Sequence, residues 1–522
     1  MTHKYKSNYD KFPLVEISEK EAIISGWEEI ISKIKEEQPK TIVIECYHGV
    51  SVKLLISKLK LHFVDATFLS MTRGFRSEAS MEQYLLPFLT DDRIFGRMSD
   101  LTLDAYFEDC ELNQMRREWC EIRGVKIAVG VGASLLCKES DLFIYADMPR
   151  WEIQKKFRKK ILGNIGASNA GEDFFLLYKR AYFCDWRACD RMKQTTFTKW
   201  DFILDTTHHE NPKFLTVDNL IMGLQKCAQQ PFRLVPFFDP GPWGGQWMKE
   251  VCDLDRAQSN YAWCFDCVPE ENSLAFKYGT KHIEIPAINL VFFQSEKLLG
   301  AQIISEFGKE FPIRFDFLDT MDGGNLSLQV HPLKTYIKKH FGMDYTQDES
   351  YYFLDTGQGA HVYLGLLDEI DPTAMMADLE KAQRGEIVFP ADKYVNKFKV
   401  KKHDHILIPA GTIHCSGKNS MVLEISATPY IFTFKLWDWG RLGLDGLPRP
   451  IHLDHGKNAI QWERNTSFAE NELINNIKTI NESNGIKEER TGLHALEFIE
   501  TRRHWFSTRV THHTKGNLNV LN

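Results

Sequence analysis

The chain has 522 residues and a mass of 60.6 kDa, which is too long for one hydrophobic core and predicts three to four domains, or two large ones with an appendage. Hydrophobic residues make up 43% and charged residues 26%, so extensive disorder and fibrous classes are excluded. The formal charge of −7 argues against nucleic acid as a partner, because binding a phosphate backbone needs a concentrated basic field. A small local phosphate site is still allowed.

Neither a targeting segment nor a membrane segment is evident. The first ten residues lack the apolar stretch of a secretory signal, and the longest apolar run, Ile127 to Cys137, is roughly half of a bilayer span. The eleven cysteines are scattered, which does not indicate a disulfide framework, and we expect Cys264 and Cys267 to be packing residues. The sequence therefore predicts a soluble cytoplasmic protein that has no membrane partner and can form oligomers.

Residues 1–228 are predicted to form an α/β domain with a parallel sheet, because short apolar runs alternate with amphipathic stretches. The predicted strands are Thr41–Cys46, Phe63–Leu69, Lys126–Leu136 and Asp141–Ala146, and the predicted helices are Ser51–Leu61 and the charged stretch from Pro149 onward.

The loop after the first of these strands lies where a phosphate-binding loop would be. A working P-loop needs two glycines followed by Lys and Ser or Thr, whereas Glu45 to Lys53 contains only Gly49. The stretches beginning at Gly130 and Tyr145 resemble late segments of nucleoside-kinase-type P-loop proteins. That resemblance implies a degenerate, non-hydrolysing kinase-like domain.

The sequence pattern changes after Gln230: many short runs typical of strands are separated by residues typical of turns, and few helices are predicted. This pattern predicts a closed or sandwiched β-architecture over residues 229–456. The predicted strands are Leu290–Gln294, Ile313–Leu318, Leu326–His331, Tyr351–Leu354, Val362–Leu366, Val395–Val400, His405–Ile408 and Met421–Ile425. His403 and His405, which flank Asp404, are expected in an exposed loop. Residues 455–490 are polar and indicate a surface helix or linker.

Four residues of this β-rich part form a candidate metal set. Gln329 and His331 are two apart on a predicted strand, so their side chains share one face. Glu349 comes just before the next strand, and His414 follows a tight Pro-Ala-Gly turn. Such an oxygen and nitrogen set suits zinc, or manganese, iron or cobalt. Each residue alone is more often a packed or hydrogen-bonded one than a ligand.

The sequence segments around these four residues resemble those of the class I mannose-6-phosphate isomerases, which are metal-dependent cupins. The matching segments are Arg233-Leu-Val-Pro, Pro242-Trp-Gly-Gly, Leu326-Ser-Leu-Gln-Val-His-Pro, Glu349-Ser-Tyr-Tyr-Phe-Leu-Asp, Ile408-Pro-Ala-Gly-Thr-Ile-His, Trp437-Asp-Trp-Gly-Arg and Pro450-Ile-His-Leu-Asp. The resemblance implies a jelly-roll barrel with one divalent metal, most simply zinc. It also implies interconversion of mannose 6-phosphate and fructose 6-phosphate through a cis-enediol.

The same resemblance implies roles for individual residues, which we state as expectations. The implied metal ligands are Gln329, His331, Glu349 and His414; the implied catalytic residues are Glu424, Lys435 and Arg441; and the implied substrate-binding residues are Ser327, Arg314 and Arg449.

Three positions depart from the family pattern, and each departure removes or alters a cation. Asp316 and Gln347 stand where relatives carry lysine, and Lys435 stands where they carry arginine. Arg314 shares a strand face with Asp316 and can supply a cation instead. Lysine does not reproduce the bidentate fork of arginine, so the Lys435 change can alter the choice of substrate.

Alternative functions therefore stay open: a metal-bound sugar-phosphate sensor without activity, an isomerase of another phosphorylated sugar, or an iron cupin oxygenase. The last is disfavoured because four protein ligands leave fewer open positions than a facial triad. Residues 457–522 are predicted to be a polar linker with part of a second cupin-like barrel. The strand-like residues after about 493 are expected to pair with the metal barrel, exchange with a second chain or remain poorly ordered.

Overall fold

The computed structural model describes residues 7–427, 432–443, 446, 449–492 and 494–522, and the chain divides into two compact units. The N-terminal unit comprises Phe12–Val235 and Pro269–Glu310. The C-terminal unit comprises residues 7–11, 236–268 and 311–522. Residues 269–310, which the sequence suggested for the second domain, thus belong to the first unit. Among the helices of the described ranges, none is both long and apolar enough to cross a bilayer.

Strands and helices alternate through the first part of the N-terminal unit. Their bounds are β1 Leu14–Ser18, β2 Ile24–Ser25, α1 Trp27–Glu36, β3 Thr41–Cys46, α2 Val52–Lys60, β4 Thr67–Ser70, α3 Glu78–Leu89, α4 Asp109–Glu121, β5 Lys126–Gly130, β6 Leu142–Asp147, α5 Arg150–Arg158, α6 Phe174–Arg180, α7 Trp186–Thr196, β7 Phe202–Asp205, β8 Lys213–Thr216 and α8 Val217–Cys227.

The main sheet of this unit has seven strands in the order β4-β5-β3-β6-β7-β8-β2. Its first five strands run parallel, β8 pairs antiparallel with β7, and β2 pairs antiparallel with β8. Strand β3 is the middle one of the five parallel strands, and all its residues from Ile42 to Cys46 are buried, as crossover helices on both faces require. The predicted α/β sheet is present. The chain order changes direction beside β3, so the loop after β3 occupies the crevice where such sheets bind ligands.

After α8 the chain enters the C-terminal unit, where it forms β9 Phe237–Asp239, α9 Trp247–Val251 and β10 Trp263–Cys267. It then returns to the N-terminal unit as β11 Ser273–Tyr278, β12 Lys281–Pro286, α10 Ile288–Phe293, α11 Ser295–Leu299 and α12 Ala301–Phe307. Strand β11 pairs in parallel with β1 and antiparallel with β12. A Cβ at Gly223 of α8 would approach Phe276 of β11 to 2.6 Å, so the helix packs closely on this small sheet.

The remainder of the chain belongs to the C-terminal unit. Its elements are β13 Arg314–Asp319, β14 Leu328–Val330, α13 Lys334–Phe341, β15 Glu349–Thr356, β16 His361–Leu366, α14 Pro372–Gln383, β17 Val395–Lys399, β18 His405–Ile408, β19 His414–Ser416, β20 Ser420–Ser426, β21 Phe434–Trp437, α15 Leu453–Gly456, α16 Thr466–Phe468, β22 Lys478–Ser483, β23 Ile486–Gly492 and β24 Thr501–Trp505.

Two antiparallel sheets form the core of the C-terminal unit. One has six strands in the order β18-β15-β20-β13-β10-β9, and the other has five in the order β17-β16-β19-β14-β21. Side chains from both sheets meet in the interior, where His414 of β19 contacts Glu349 of β15. The β-rich architecture predicted for this part is therefore present as two facing sheets.

The polar segment after α15 is more ordered than the sequence suggested. A short helical stretch over residues 466–473 is followed by a third sheet of three strands, β22-β23-β24, whose middle strand lies against β18. The terminal strand β24 pairs with β23, and its Arg503 donates to the carbonyl oxygen of His403 at 2.8 Å. Polar and charged residues mask the strand signal here, because Asn, Glu and Lys favour strands little, and all six residues of β22 are exposed.

Four local predictions were wrong. The strand predicted over Lys126–Leu136 ends at Gly130, and Ala133–Leu135 form a helical turn. Leu290–Gln294 lies mostly in helix α10 rather than a strand, since a short, mostly buried apolar run has no period that distinguishes a helix from a strand. Residues 63–66 form a turn, so the strand predicted there begins only at Thr67. His405 is not in an exposed loop but begins β18 and is fully buried.

Candidate metal centre

Three buried side chains of the C-terminal unit bring their polar atoms together between the two facing sheets. His331, Glu349 and His414 each offer one ligand atom, and these atoms lie within 4.8 Å of one another. One oxygen of Glu349 is 3.0 Å from His331 Nε2, and the other is 2.6 Å from His414 Nε2. All three residues are at most 2% exposed. This geometry forms a group that can hold a metal ion.

Strand register explains why these residues meet. Gln329 of β14 pairs directly with His414 of β19 on one side and with Lys435 of β21 on the other, so the three side chains share a face. His331 follows Gln329 at period two and points the same way. Gln329 Nε2 is 3.2 Å from His414 Nε2, and a half-turn of the amide brings its oxygen to that position.

Each of the three residues is oriented by a second partner. His414 Nδ1 donates to the carbonyl oxygen of Thr412 at 2.9 Å, and His331 Nδ1 lies 3.3 Å from a backbone carbonyl oxygen. Both imidazoles therefore direct Nε2, with its lone pair, toward Glu349. Gln347, which replaces a lysine of the family pattern, donates to Glu349 Oε2 at 2.9 Å.

Two of the converging atoms, His331 Nε2 and Glu349 Oε1, are buried and have no well-aligned hydrogen bond to any residue that the structure describes. Unpaired buried polar atoms are costly, and a divalent cation would satisfy both. Two imidazoles, a carboxylate and an amide oxygen form a donor set that suits zinc. Burial opposes ionisation of Glu349, but when the two imidazoles are protonated their charges hold the pKa of its carboxyl well below the usual range.

Further acidic residues line the same interior face of the six-stranded sheet. Asp316 of β13, Glu424 of β20 and Tyr351 of β15 pair in one cross-strand row, next to the row that carries Glu349. Burial and the Glu349 charge raise the pKa of both Asp316 and Glu424 well above the usual range. The Tyr351 ring lies edge-on to His414, with centroids 5.8 Å apart. The residue expected as catalytic, Glu424, thus faces the metal centre.

A second cluster gathers around Asp438, which follows β21 and is 3% exposed. Ser327 Oγ donates to Asp438 Oδ1 at 3.0 Å, and Arg441 binds the same oxygen. Arg449 pairs with the other oxygen, Oδ2. Two residues expected to bind substrate, Ser327 and Arg449, therefore lie together with Arg441, which was expected to be catalytic, but each already contacts one carboxylate of the chain.

Lys435 lies between the two clusters, and Arg314 lies apart from the second one. Lys435 is partly buried on the Gln329 face, where burial and the neighbouring Arg449 lower the pKa of its ammonium to about 7. Arg314 is on the row of Glu349 across the six-stranded sheet and donates to the carbonyl oxygen of Ala427 at 2.7 Å. The part of the site that the sequence missed is Asp438, although it lies inside the Trp-Asp-Trp segment that carries the resemblance.

In the N-terminal unit the loop after β3 is packed rather than open. The N–H of Tyr47 donates to the carbonyl of Ala146 at 2.8 Å, and the N–H of Val50 donates to Tyr47 at 3.3 Å. A Cβ at Gly49 would meet Ile153 of α5 at 2.8 Å. The backbone N–H groups that a phosphate loop directs at its ligand are thus partly used within the fold, and α5 covers the loop.

Buried side chains fill the rest of this sheet edge. Trp186 Nε1 donates to His48 Nδ1 at 3.2 Å, which leaves the other ring nitrogen of His48 to donate to a carbonyl oxygen. Lys193, fully buried, donates to both oxygens of Asp147 at 2.8 and 3.0 Å and to Asn289 at 2.9 Å. A lysine with three acceptors of the chain has no donor left for a phosphate.

We therefore expect no useful ATP binding by the N-terminal unit, with any dissociation constant weaker than about 1 mM. Calorimetric titration of the full chain with ATP and magnesium measures this directly. Micromolar binding that is lost on Lys53→Ala or Gly49→Ala would contradict the prediction; binding unaffected by both would point to another part of the chain.

Comparison with known proteins finds two separate similarities along the chain. Residues 26–229 match a family model described as a domain of unknown function, DUF8485. Mannose-6-phosphate isomerase ManA of Bacillus subtilis is 29% identical over 156 residues, which are 30% of this chain and 45% of that protein. The mannose-6-phosphate isomerase of Streptococcus mutans is 28% identical over 214 residues, 41% of this chain and 62% of the relative.

The chain thus spans about half the length of the first curated relatives it matches. Among solved structures, the mannose 6-phosphate isomerase of Bacillus subtilis is similar at a TM-score of 0.40 and 20% identity, covering 51% of this chain and 77% of that one. The sequence similarity agrees with the resemblance carried by the motifs of the C-terminal half. The kinase-like character of the N-terminal unit stays a prediction.

Proposed function

We propose that the C-terminal unit is a metal-dependent aldose–ketose isomerase that interconverts mannose 6-phosphate and fructose 6-phosphate. The observation that carries this proposal is the buried convergence of His331, Glu349 and His414. Gln329 lies beside them, and Glu424 lies in the next row of the six-stranded sheet. Similarity to mannose-6-phosphate isomerases supports the substrate class.

In this proposal the reaction moves one proton between C2 and C1 of the open-chain sugar. A base removes the C2 proton of the aldose, the cis-enediol forms, and the proton returns at C1 while the O2 hydroxyl proton passes to O1. Glu424 is the proposed base, since it is buried next to Glu349 and its raised pKa makes the ionised carboxylate a stronger proton acceptor than an exposed one. A zinc ion held by Gln329, His331, Glu349 and His414 would supply Lewis-acid stabilisation of the oxygen that gains charge.

The Asp438 cluster is the proposed phosphate end of the site. Arg441 and Arg449 provide guanidinium forks that match phosphate oxygens, and Ser327 provides a hydroxyl donor. Asp438 holds all three in place but also neutralises part of their charge, so the cluster binds an anion more weakly than free arginines would. Lys435, partly buried beside Arg449, can carry a proton or a charge at neutral pH.

A coupled assay for fructose 6-phosphate with zinc-reconstituted protein tests the proposal. We expect turnover by the wild-type chain and a loss of about 10²- to 10⁴-fold on Glu424→Gln, because a positioned proton-transfer group contributes about that much. Zinc content should stay unchanged in this variant. Glu386→Gln, on the surface beside Arg384, is the matched control and should keep full activity.

The competing proposal is a sugar-phosphate sensor without catalysis. One observation favours it: Asp316 places a carboxylate on the interior face at a position where the resemblance implies a lysine. Binding of mannose 6-phosphate to the zinc-loaded chain by calorimetry, with no turnover in the coupled assay, would select the sensor and overturn the isomerase.

A further inference from the structure

Arg464 lies in the polar segment after α15, outside the two facing sheets, yet its side chain is buried at the loop that precedes His414. The residue is 5% exposed. Its Nη1 is 2.6 Å from the carbonyl oxygen of Pro409, 2.7 Å from that of Ala410 and 2.6 Å from Thr412 Oγ1. One guanidinium nitrogen thus contacts three groups of a four-residue stretch.

That stretch connects β18 to β19 and determines the position of His414, the first residue of β19. Thr412 is 1% exposed, and its carbonyl oxygen accepts the bond from His414 Nδ1 that directs Nε2 toward Glu349. Gly411 donates from its N–H to the carbonyl oxygen of His331 at 3.0 Å, so the same loop also contacts the other histidine. A displacement of Thr412 would change the aim of His414.

We propose that Arg464 is a positioning residue of the metal centre, holding the 409–412 loop so that the Thr412 carbonyl aims His414 Nε2 at the metal. This inference rests on the metal-binding part of the proposed function and is independent of catalysis. Partners one step removed from a metal ligand fix its ring orientation and tautomer, and their loss typically weakens metal binding about ten- to hundredfold.

The backbone around Arg464 has its own anchors, so the side chain can be changed without releasing the segment. The carbonyl oxygen of Arg464 accepts from Leu366 N–H at 2.9 Å, and Gln461 N–H donates to the carbonyl of Gly411 at 3.0 Å. Nearby acids, Asp348 and Glu497, face the guanidinium; burial raises the pKa of Asp348 to about 6, and Arg464 opposes that rise. Asp348 Oδ1 also accepts from the Ala410 N–H at 2.8 Å, a second hold on the loop.

The test measures zinc affinity of the full-length chain by competition with a chromogenic chelator. Arg464→Met keeps the apolar stem but removes every donor, and we expect its zinc dissociation constant to rise about ten- to hundredfold. Arg464→Lys keeps the charge without the planar fork and should recover only part of the affinity. Arg384→Met is the matched control, since that exposed guanidinium pairs with Glu386 on the surface.

A second readout separates positioning from mere stability. In metal-free protein, ¹⁵N shifts of the His414 ring report its tautomer, and we expect the Nδ1–H form of the wild type to lose population in Arg464→Met. If that variant does not fold, Thr412→Val removes the Oγ1 contacts with Arg464 and with the carbonyl oxygen of Pro409, both of which hold this loop, and is expected to weaken zinc binding in the same direction. Unchanged zinc affinity in a folded Arg464→Met, or in Thr412→Val where the first does not fold, overturns the proposal.

The outcomes also distinguish this inference from the proposed isomerase. A wild-type chain that binds zinc tightly but does not isomerise sugar phosphates overturns the isomerase alone. A wild-type chain that takes up no zinc overturns both.

Discussion

Replacing Glu349 by glutamine is expected to lower zinc affinity by more than about a hundredfold. The carboxylate lies between His331 Nε2 and His414 Nε2, at 3.0 and 2.6 Å, and is the negatively charged member of the proposed ligand set. Loss of a partner one step further out already costs about ten- to hundredfold, so loss of the ligand itself must cost more. The amide is nearly isosteric, so the fold should be kept.

Isothermal titration with zinc and metal analysis after dialysis measure this effect, and the coupled isomerase assay should fall with the metal content. Glu386→Gln, which changes an exposed carboxylate in the same unit, is the control and should bind zinc like the wild type. Stoichiometric zinc retained by Glu349→Gln at wild-type affinity would remove Glu349 from the metal centre and with it the proposed ligand set.

The convergence of this site could be predicted from the sequence because each residue lies in a short, strongly patterned segment. Gln329 and His331 are on one strand face, and the turn before His414 is recognisable from its Pro-Ala-Gly sequence. Strand register then brings the segments together without further information from distant residues. Whether the four residues bind metal remains a prediction that the titration above tests.

Contacts between distant segments could not be predicted in this way. Arg464 contacts the loop before His414 from a segment whose sequence is typical of a polar linker. A single arginine in such a segment gives no indication that it is buried. Asp438 neutralises Arg441 and Arg449 only because β21 places it there. Strand β11 joins the N-terminal unit by pairing with β1, a contact between segments more than 250 residues apart in sequence that no local pattern encodes.

His405 provides the second large expected effect, a loss of stability in acid. Its ring is fully buried between β18 and the C-terminal three-stranded sheet, where a Cβ at Gly492 would come within 2.6 Å of it. The Tyr352 ring lies edge-on at 5.7 Å, and neither ring nitrogen of His405 has a well-aligned hydrogen bond within the described ranges. Burial lowers the pKa of His405 to about 4; the Thr491 backbone opposes the shift, and the positive charge of Arg503 adds to it.

The sign follows from which state binds more protons. Between pH 6.5 and about 4 the unfolded chain holds a proton on this histidine and the folded chain does not, so stability falls as pH falls through that window. The contribution is fully present above pH 6.5 and lost below about pH 4. A shift from 6.5 to about 4 corresponds to about 3 kcal/mol of unfolding free energy.

Urea unfolding of the wild type and His405→Gln across pH 4 to 8 isolates this effect, because other titrating groups act equally on both chains and cancel in the difference. We expect the pH dependence of the unfolding free energy to be shallower in the variant, by a difference that grows from near zero at pH 7.5 to about 3 kcal/mol at pH 4. His513→Gln, an exposed histidine of the same unit, should follow the wild-type curve. Parallel curves for His405→Gln and the wild type would mean that His405 gains a proton in the folded chain as readily as in the unfolded one, which its burial against β23 does not allow.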